Sequence, residues 1–205
     1  MASRQRPSEP PEAFARAIAG LRAVRLRPEI RLAEAPAPQR LAPFALAFTG
    51  DIDAAGEELA TGRFVVLHNP AGEETWQGDT RVVVYVRALL EPEMANDPFL
   101  PAVAWTWLTE ALTHRFEPAM PVALGGTVTR VLSESFGTMS SRPPSAHVEL
   151  RASWTPSGDL TAHLEAWGEV LASAAGLPPL PPGVAVLPPP GDARRTAATR
   201  PPRRR

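Results

Sequence analysis

The segment Ala146–Trp154 changes polarity at every residue: Val148, Leu150, Ala152 and Trp154 alternate with His147, Glu149, Arg151 and Ser153. A helix would scatter these side chains around its circumference, whereas a strand sorts them onto two faces. One face must be buried and the other wet, so the segment belongs to a sheet covered on one side. Leu41–Phe48 repeats the pattern, with Phe44, Leu46 and Phe48 opposite alanines. Phe64–Leu67, the valine-rich Thr80–Leu90 and Thr127–Leu132 complete the long strands, and Ile30–Leu32 is a short extended piece. The acidic stretch from Gly50 to Gly62 reads as a loop and Asn69–Gly72 as a turn, making Gly62–Leu90 an antiparallel hairpin with a wide connection.

Three helices lie between and around these strands. Pro10-Pro11 opens the first, with Phe14, Ile18 and Leu21 at helical spacing, and Pro28 stops it. In the second, Asp97 caps and Pro98 takes the first position, with Leu100, Val103, Trp107 and Ala111 in one stripe beside Leu108 and Leu112. Asp159 caps the third, whose stripe is Leu160, Leu164, Trp167 and Leu171 and whose C-terminal cap is Gly176. The order is helix, strands, helix, two strands, helix. Short connections between consecutive strands predict an α+β fold: an antiparallel sheet of five to six strands with three helices. The domain spans residues 10–177. Residues 1–9 and the Pro/Arg-rich 178–205 are expected to be disordered tails.

Composition narrows the chemistry. With 205 residues and 44% apolar content the chain has enough material for one real core. It contains no cysteine, which removes disulfides, thiolate nucleophiles and Cys-based metal sites. All 21 basic residues are arginine, which removes Schiff-base lysines and the P-loop. With 25 prolines and much alanine, this looks like the codon bias of a GC-rich bacterial genome. No run approaches the roughly 20 apolar residues of a membrane span, and the N-terminus lacks the apolar core of a signal peptide. The expected location is the cytoplasm, with no membrane contact.

The net charge of −1 hides an asymmetry. Residues 12–177 hold 13 arginines against 20 carboxylates, whereas the last fifteen residues hold six arginines against Asp192. An acidic domain makes a poor duplex-binding surface, although the tail could make weak contact with RNA.

Specific chemistry is sparse. His68, His114, His147 and His163 are not spaced as metal ligands and read as surface or turn residues. No cofactor, metal or catalytic set is expected. Glu91 and Glu93 flank Pro92; an extended Glu-Pro-Glu would project both carboxylates to one side, suited to acid–base work or a cation, while the plainer account is a solvated connection. Trp154 and Trp167 are expected in the core, along with Trp105 and Trp107, and Trp76 at a contact surface. In Gly125–Ser145, strand parity puts Arg130 with Val128 and Leu132. If that face is the core, Arg130 must be paired, with Glu149 or Glu91 as the partner. Ser140, Ser141 and Arg142 follow as anion donors, so Arg130, Ser141 and Arg142 with Glu91 and Glu93 form the candidate binding set. The plainer account is a structural or solvent-facing arginine beside a Ser-rich loop.

Six phrases carry a resemblance: "LRAVRLRPEI" (Leu21–Ile30), "RLAPFALA" (Arg40–Ala47), "LEPEMANDPFLP" (Leu90–Pro101), "GTVTRVLSESFG" (Gly126–Gly137), "ELRASWTP" (Glu149–Pro156) and "AGLPP" (Ala175–Pro179). Together they resemble an actinobacterial domain-of-unknown-function family, over nearly all of the expected domain, and the resemblance transfers no activity. The element order is also similar to type III secretion chaperone and YbjN-like folds, which implies a dimer that binds other polypeptides. The leading functional reading is therefore a non-enzymatic, chaperone-like protein-binding or assembly module, a homodimer as the resemblance implies. A small-molecule or anion site near Arg130, serving a hydrolase in one version, and an RNA-associated factor acting through the tail stay open as alternatives.

Overall fold

The computed structural model describes residues 9–179. Six strands form one antiparallel sheet in the order β1-β2-β3-β4-β6-β5. They are β1 (Arg31–Ala35), β2 (Phe44–Ala54), β3 (Glu57–Glu73), β4 (Gly78–Leu90), β5 (Val122–Ser133) and β6 (Ser145–Thr155). The helices are α1 (Glu12–Ala23), a single turn α2 (Pro92–Ala95), α3 (Leu100–Phe116) and α4 (Leu160–Ala174). The chain thus runs helix, four strands, helix, two strands, helix, as its alternation pattern predicts. The expected tails at 1–9 and 178–205 lie almost wholly outside the described residues. Within them, the Pro178 carbonyl accepts from Arg27 at 3.0 Å.

The three long helices share one face of the sheet. α4 lies over β2, β3 and β4, flanked by α1 and α3, and α3 reaches across β6 and β5. Beneath α4, Trp167 rests on two glycines. A Cβ on Gly50 would stand 2.7 Å from its Cη2, and one on Gly62 would stand 2.8 Å from its Cζ2 and from the Tyr85 carbonyl. Its indole N–H donates to that same carbonyl at 3.3 Å. Asp159 caps α4 by accepting from the Thr161 N–H, and Gly176, at φ +72°, closes it as bonds from Gly176 to Ser173 and from Leu177 to Ala172 cap the last carbonyls.

The structure departs from the sequence expectations in four places. Gly50–Gly62 is not a loop: β2 and β3 run through it and turn at Ala55-Gly56, both with positive φ as a two-residue hairpin requires. The acidic residues there fooled the pattern because they occupy the wet face, where Arg31 pairs with Asp51 and Asp53 and Thr61 donates to Asp51. Second, α3 begins at Leu100. Asp97 caps the preceding turn through the Phe99 N–H, and Glu91-Pro92-Glu93 is the entry to α2 rather than an extended tripeptide. Third, the buried residues of α3 are Leu100, Ala104, Leu108, Ala111, Leu112 and Phe116, leaving Trp107 half-buried and Val103 exposed. Fourth, His68 and His163 are buried. His68 stacks on Phe14 and pairs with Thr80, and His163 stacks on Phe116.

His163 is fully enclosed. Its Nδ1 accepts from the Trp154 indole at 3.1 Å and its Nε2 donates to the Ser157 carbonyl at 2.9 Å, which fixes the neutral tautomer. Burial pushes its pKa down to about 4, opposed only in part by the Ser157 carbonyl and Asp159.

Two expectations follow from this packing. Gly62→Ala forces a methyl against both a ring and a backbone oxygen, and should lower the urea-unfolding free energy by roughly 1–3 kcal/mol, the cost of overpacking. The unfolded chain protonates its histidine near pH 6.5 and the native chain only near 4, so stability falls as pH drops through that window, by about 3 kcal/mol in total. His163→Gln keeps a donor and an acceptor without the titration. Urea midpoints from pH 7 to 4 should therefore fall less steeply in the variant, and equal slopes would contradict the assignment.

Candidate functional site

The residues singled out in the sequence gather at one end of the sheet but do not converge on a shared cavity. Arg130 does lie on the helix side of β5, opposite Val148. However, β5 is an edge strand, and Arg130 stays exposed, donating from Nη1 to the Asp97 carbonyl at 2.8 Å. Glu149 is not its partner, because position 149 points to the opposite face. Glu91 and Glu93 stand exposed on α2, which packs on β5 and β6. Ser141 and Arg142 are exposed in the β5–β6 connection, beyond a 3-10 turn at Gly137–Met139.

The outer face of the sheet, away from the helices, holds a better-formed site. Over β2 and β3 this face is covered: Ala37 and Ala42, from the segment joining β1 to β2, pack with Trp76 on Ala47, Val65 and Leu67. The small alanines at 45 and 47 let that segment lie close. Trp76, expected at a contact surface, is half-buried in this cluster. Beyond the cover lies an open basin of about 490 Å³, lined by Arg63, Val65, Val83, Tyr85, Thr127, Arg151 and Ser153, with Gly125 and Gly126 at its margin. Alternation within each strand sends these side chains outward, and the antiparallel register sets Arg63 opposite Tyr85, and Tyr85 opposite Arg151.

The basin is electrostatically uneven. Arg151 stacks over the Tyr85 ring at 5.0 Å and reaches Glu149 at 2.6 Å, and the Tyr85 hydroxyl donates to Glu149 at 3.2 Å. Burial works against the Glu149 charge, but Arg151, Tyr85 and His147 together hold its carboxyl below the usual range. Burial and then the Glu149 carboxylate push the Tyr85 phenol up. His147 is pushed down by burial and Arg87, with Glu149 opposing. Arg63 donates to the Pro36 carbonyl, and Arg81, beside the basin, to the Ser153 carbonyl, the Ser153 hydroxyl and the Thr155 hydroxyl. Among the described residues neither arginine has a carboxylate partner. Burial lowers the Arg81 pKa, the sign of a cation held without a counter-ion.

A second cavity, about 540 Å³, opens on the helix side among α3, α4 and the α1–β1 connection, with Trp107, Leu26, Ile30 and Leu177 in its walls. Its charge is balanced internally: Arg115 bridges Glu165 and Glu169, and Arg27 pairs with Glu29. Among the described residues no cluster of histidine and carboxylates is arranged to hold a metal, and no helix is long and apolar enough to cross a membrane.

Sequence reasoning missed Arg63, Arg81 and Tyr85. Outward parity in β4 was legible, but only the pairing register brings residues 63, 85 and 151 together.

Fold and site define an α+β protein with three helices on one face of a six-stranded antiparallel sheet and a basic, open basin on the other. The chain matches the model of a family described as Protein of unknown function (DUF3000) over residues 10–185, and it belongs to that family. Neither the curated proteins nor the solved structures include a match.

Tyr85 is the chain's one tyrosine, so tyrosinate absorbance reads this site alone. Its titration midpoint should lie above that of free tyrosine, and Glu149→Gln should bring it down by removing the adjacent negative charge. An unchanged midpoint in the variant would mean that the hydroxyl does not face Glu149.

Proposed function

We propose that this protein is a non-enzymatic, chaperone-like binding module of the cytoplasm, and that its open basin holds an extended acidic segment of another protein. The observation that carries the reading is the pair Arg63 and Arg81, which lack carboxylate partners among the described residues of a domain that is otherwise acidic. A guanidinium held on a half-buried surface by carbonyls and hydroxyls binds an incoming carboxylate with charge-assisted hydrogen bonds. The basin is open rather than enclosing, whereas small-molecule sites cover most of their ligand. Its Val65 and Val83 floor beside the Tyr85 ring suits a peptide that alternates acidic and apolar side chains.

Fluorescence anisotropy with short labelled peptides tests this. A peptide of alternating glutamate and valine should bind about tenfold tighter than one of alternating lysine and valine, a difference of about 1.4 kcal/mol. The Arg63→Gln, Arg81→Gln double variant should lose that preference while its thermal midpoint stays near wild type. Equal affinity for both peptides, or an undiminished preference in the variant, would overturn the proposal.

A further inference from the structure

β5 pairs with β6 along one side, and among the described residues no backbone group pairs with its other side. The opposite edge, β1, is only five residues long. Long edges are ordinarily blunted by proline or by several charges. Residues 125–136 contain no proline, and their only charged members are Arg130 and Glu134. Val128, Arg130 and Leu132 share the helix-side face, opposite Leu150, Val148 and Ala146. Beyond the end of β5 at Ser133 the backbone is again extended at Phe136, and continuing the alternation of β5 would carry Glu134 and Phe136 on the same face. Leu132 is 55% exposed and Phe136 73%.

This edge is complementary to itself in one register. Antiparallel pairing about a two-fold axis at Leu132 sets Leu132 against Leu132 of the second copy. Arg130 then faces Glu134 of the second copy, twice, and Val128 faces Phe136. Moving the axis to Arg130 opposes two guanidiniums, and moving it to Val131 or Ser133 leaves both charges facing apolar residues. Arg130 uses only Nη1 on the Asp97 carbonyl, so its remaining donors are available. Phe99, 72% exposed and two residues beyond that carbonyl, adds apolar surface at the same edge.

We propose that β5 pairs antiparallel with β5 of a second copy, centred on Leu132, so that one sheet runs through a symmetric dimer. The pairing spans residues 128–136, whereas β5 lends the basin only Gly125, Gly126 and Thr127, so dimerisation and peptide binding are tested by different residues.

Light scattering of the full chain during gel filtration should give twice 22.0 kDa. Arg130→Glu and Glu134→Arg, both at exposed positions, should each give the monomer mass, and the combined swap should restore the dimer; circular dichroism checks that each variant is folded. Because the chain has no cysteine, Leu132→Cys introduces a lone thiol. Directly opposed antiparallel Cα atoms lie about 4.5–5.5 Å apart, within disulfide range. Oxidised Leu132→Cys should therefore run as a covalent dimer and Ser133→Cys should not. A wild-type mass of 22.0 kDa at high micromolar concentration, a dimer indifferent to both single charge reversals, or equal cross-linking at 132 and 133 would each overturn the proposal.

Discussion

The contact of the Trp167 indole with the backbone at Gly50 and Gly62 sets the distance between the helical layer and the sheet. Large aromatics usually meet a sheet through interleaved side chains, which holds the layers about 10 Å apart. Here two absent side chains let the ring settle onto the strands, where its N–H reaches a backbone carbonyl. Phe64, Leu164 and Leu171 complete the enclosure, and α1 and α3 take their positions from α4. The same device recurs on the same face toward the β5 edge, where Gly126 leaves room for the Trp105 ring; a Cβ there would stand 2.8 Å from it. Glycines within strands are normally weak points. In this fold they are the sockets.

Much of this architecture was legible in the sequence because it depends on periodicity. β6 and α4 follow from alternation and from a capped 3.6-residue stripe, and Trp154 and Trp167 are both fully buried as those patterns require. Gly50–Gly62 was not legible, because acidic residues on a wet strand face look like loop residues when read one at a time. His163 escaped for a different reason: what recruits it to the core is the buried indole N–H of Trp154, a need that appears only once the two side chains meet. The basin was hidden for a third reason. Its arginines lie on strands separated by up to 88 positions in the chain, from Arg63 to Arg151, and pairing register is a tertiary property.

The two faces of the sheet follow different rules. The helix side is almost wholly apolar, and of its two buried histidines His68 stacks on Phe14 while His163 is kept neutral by two hydrogen bonds. The outer side is divided between an alanine-lined half that accepts a covering segment and a polar half where Tyr85, Glu149 and Arg151 support one another. Leaving that second half uncovered keeps guanidiniums in reach of solvent. A cover of apolar segment would have to remove Arg63 and Arg81 from water without supplying counter-ions, at considerable desolvation cost.

The strand order also has a kinetic consequence. β1 through β4 form a meander of neighbouring hairpins, while β6 slots between β4 and the earlier-made β5, and α4 follows every strand. During synthesis the meander therefore emerges with its glycine sockets vacant and its apolar face wet until α4 arrives. Nascent intermediates of that kind are prone to aggregate, so the interval between translation of β4 and translation of α4 is the one in which the apolar face of this sheet lacks its main cover.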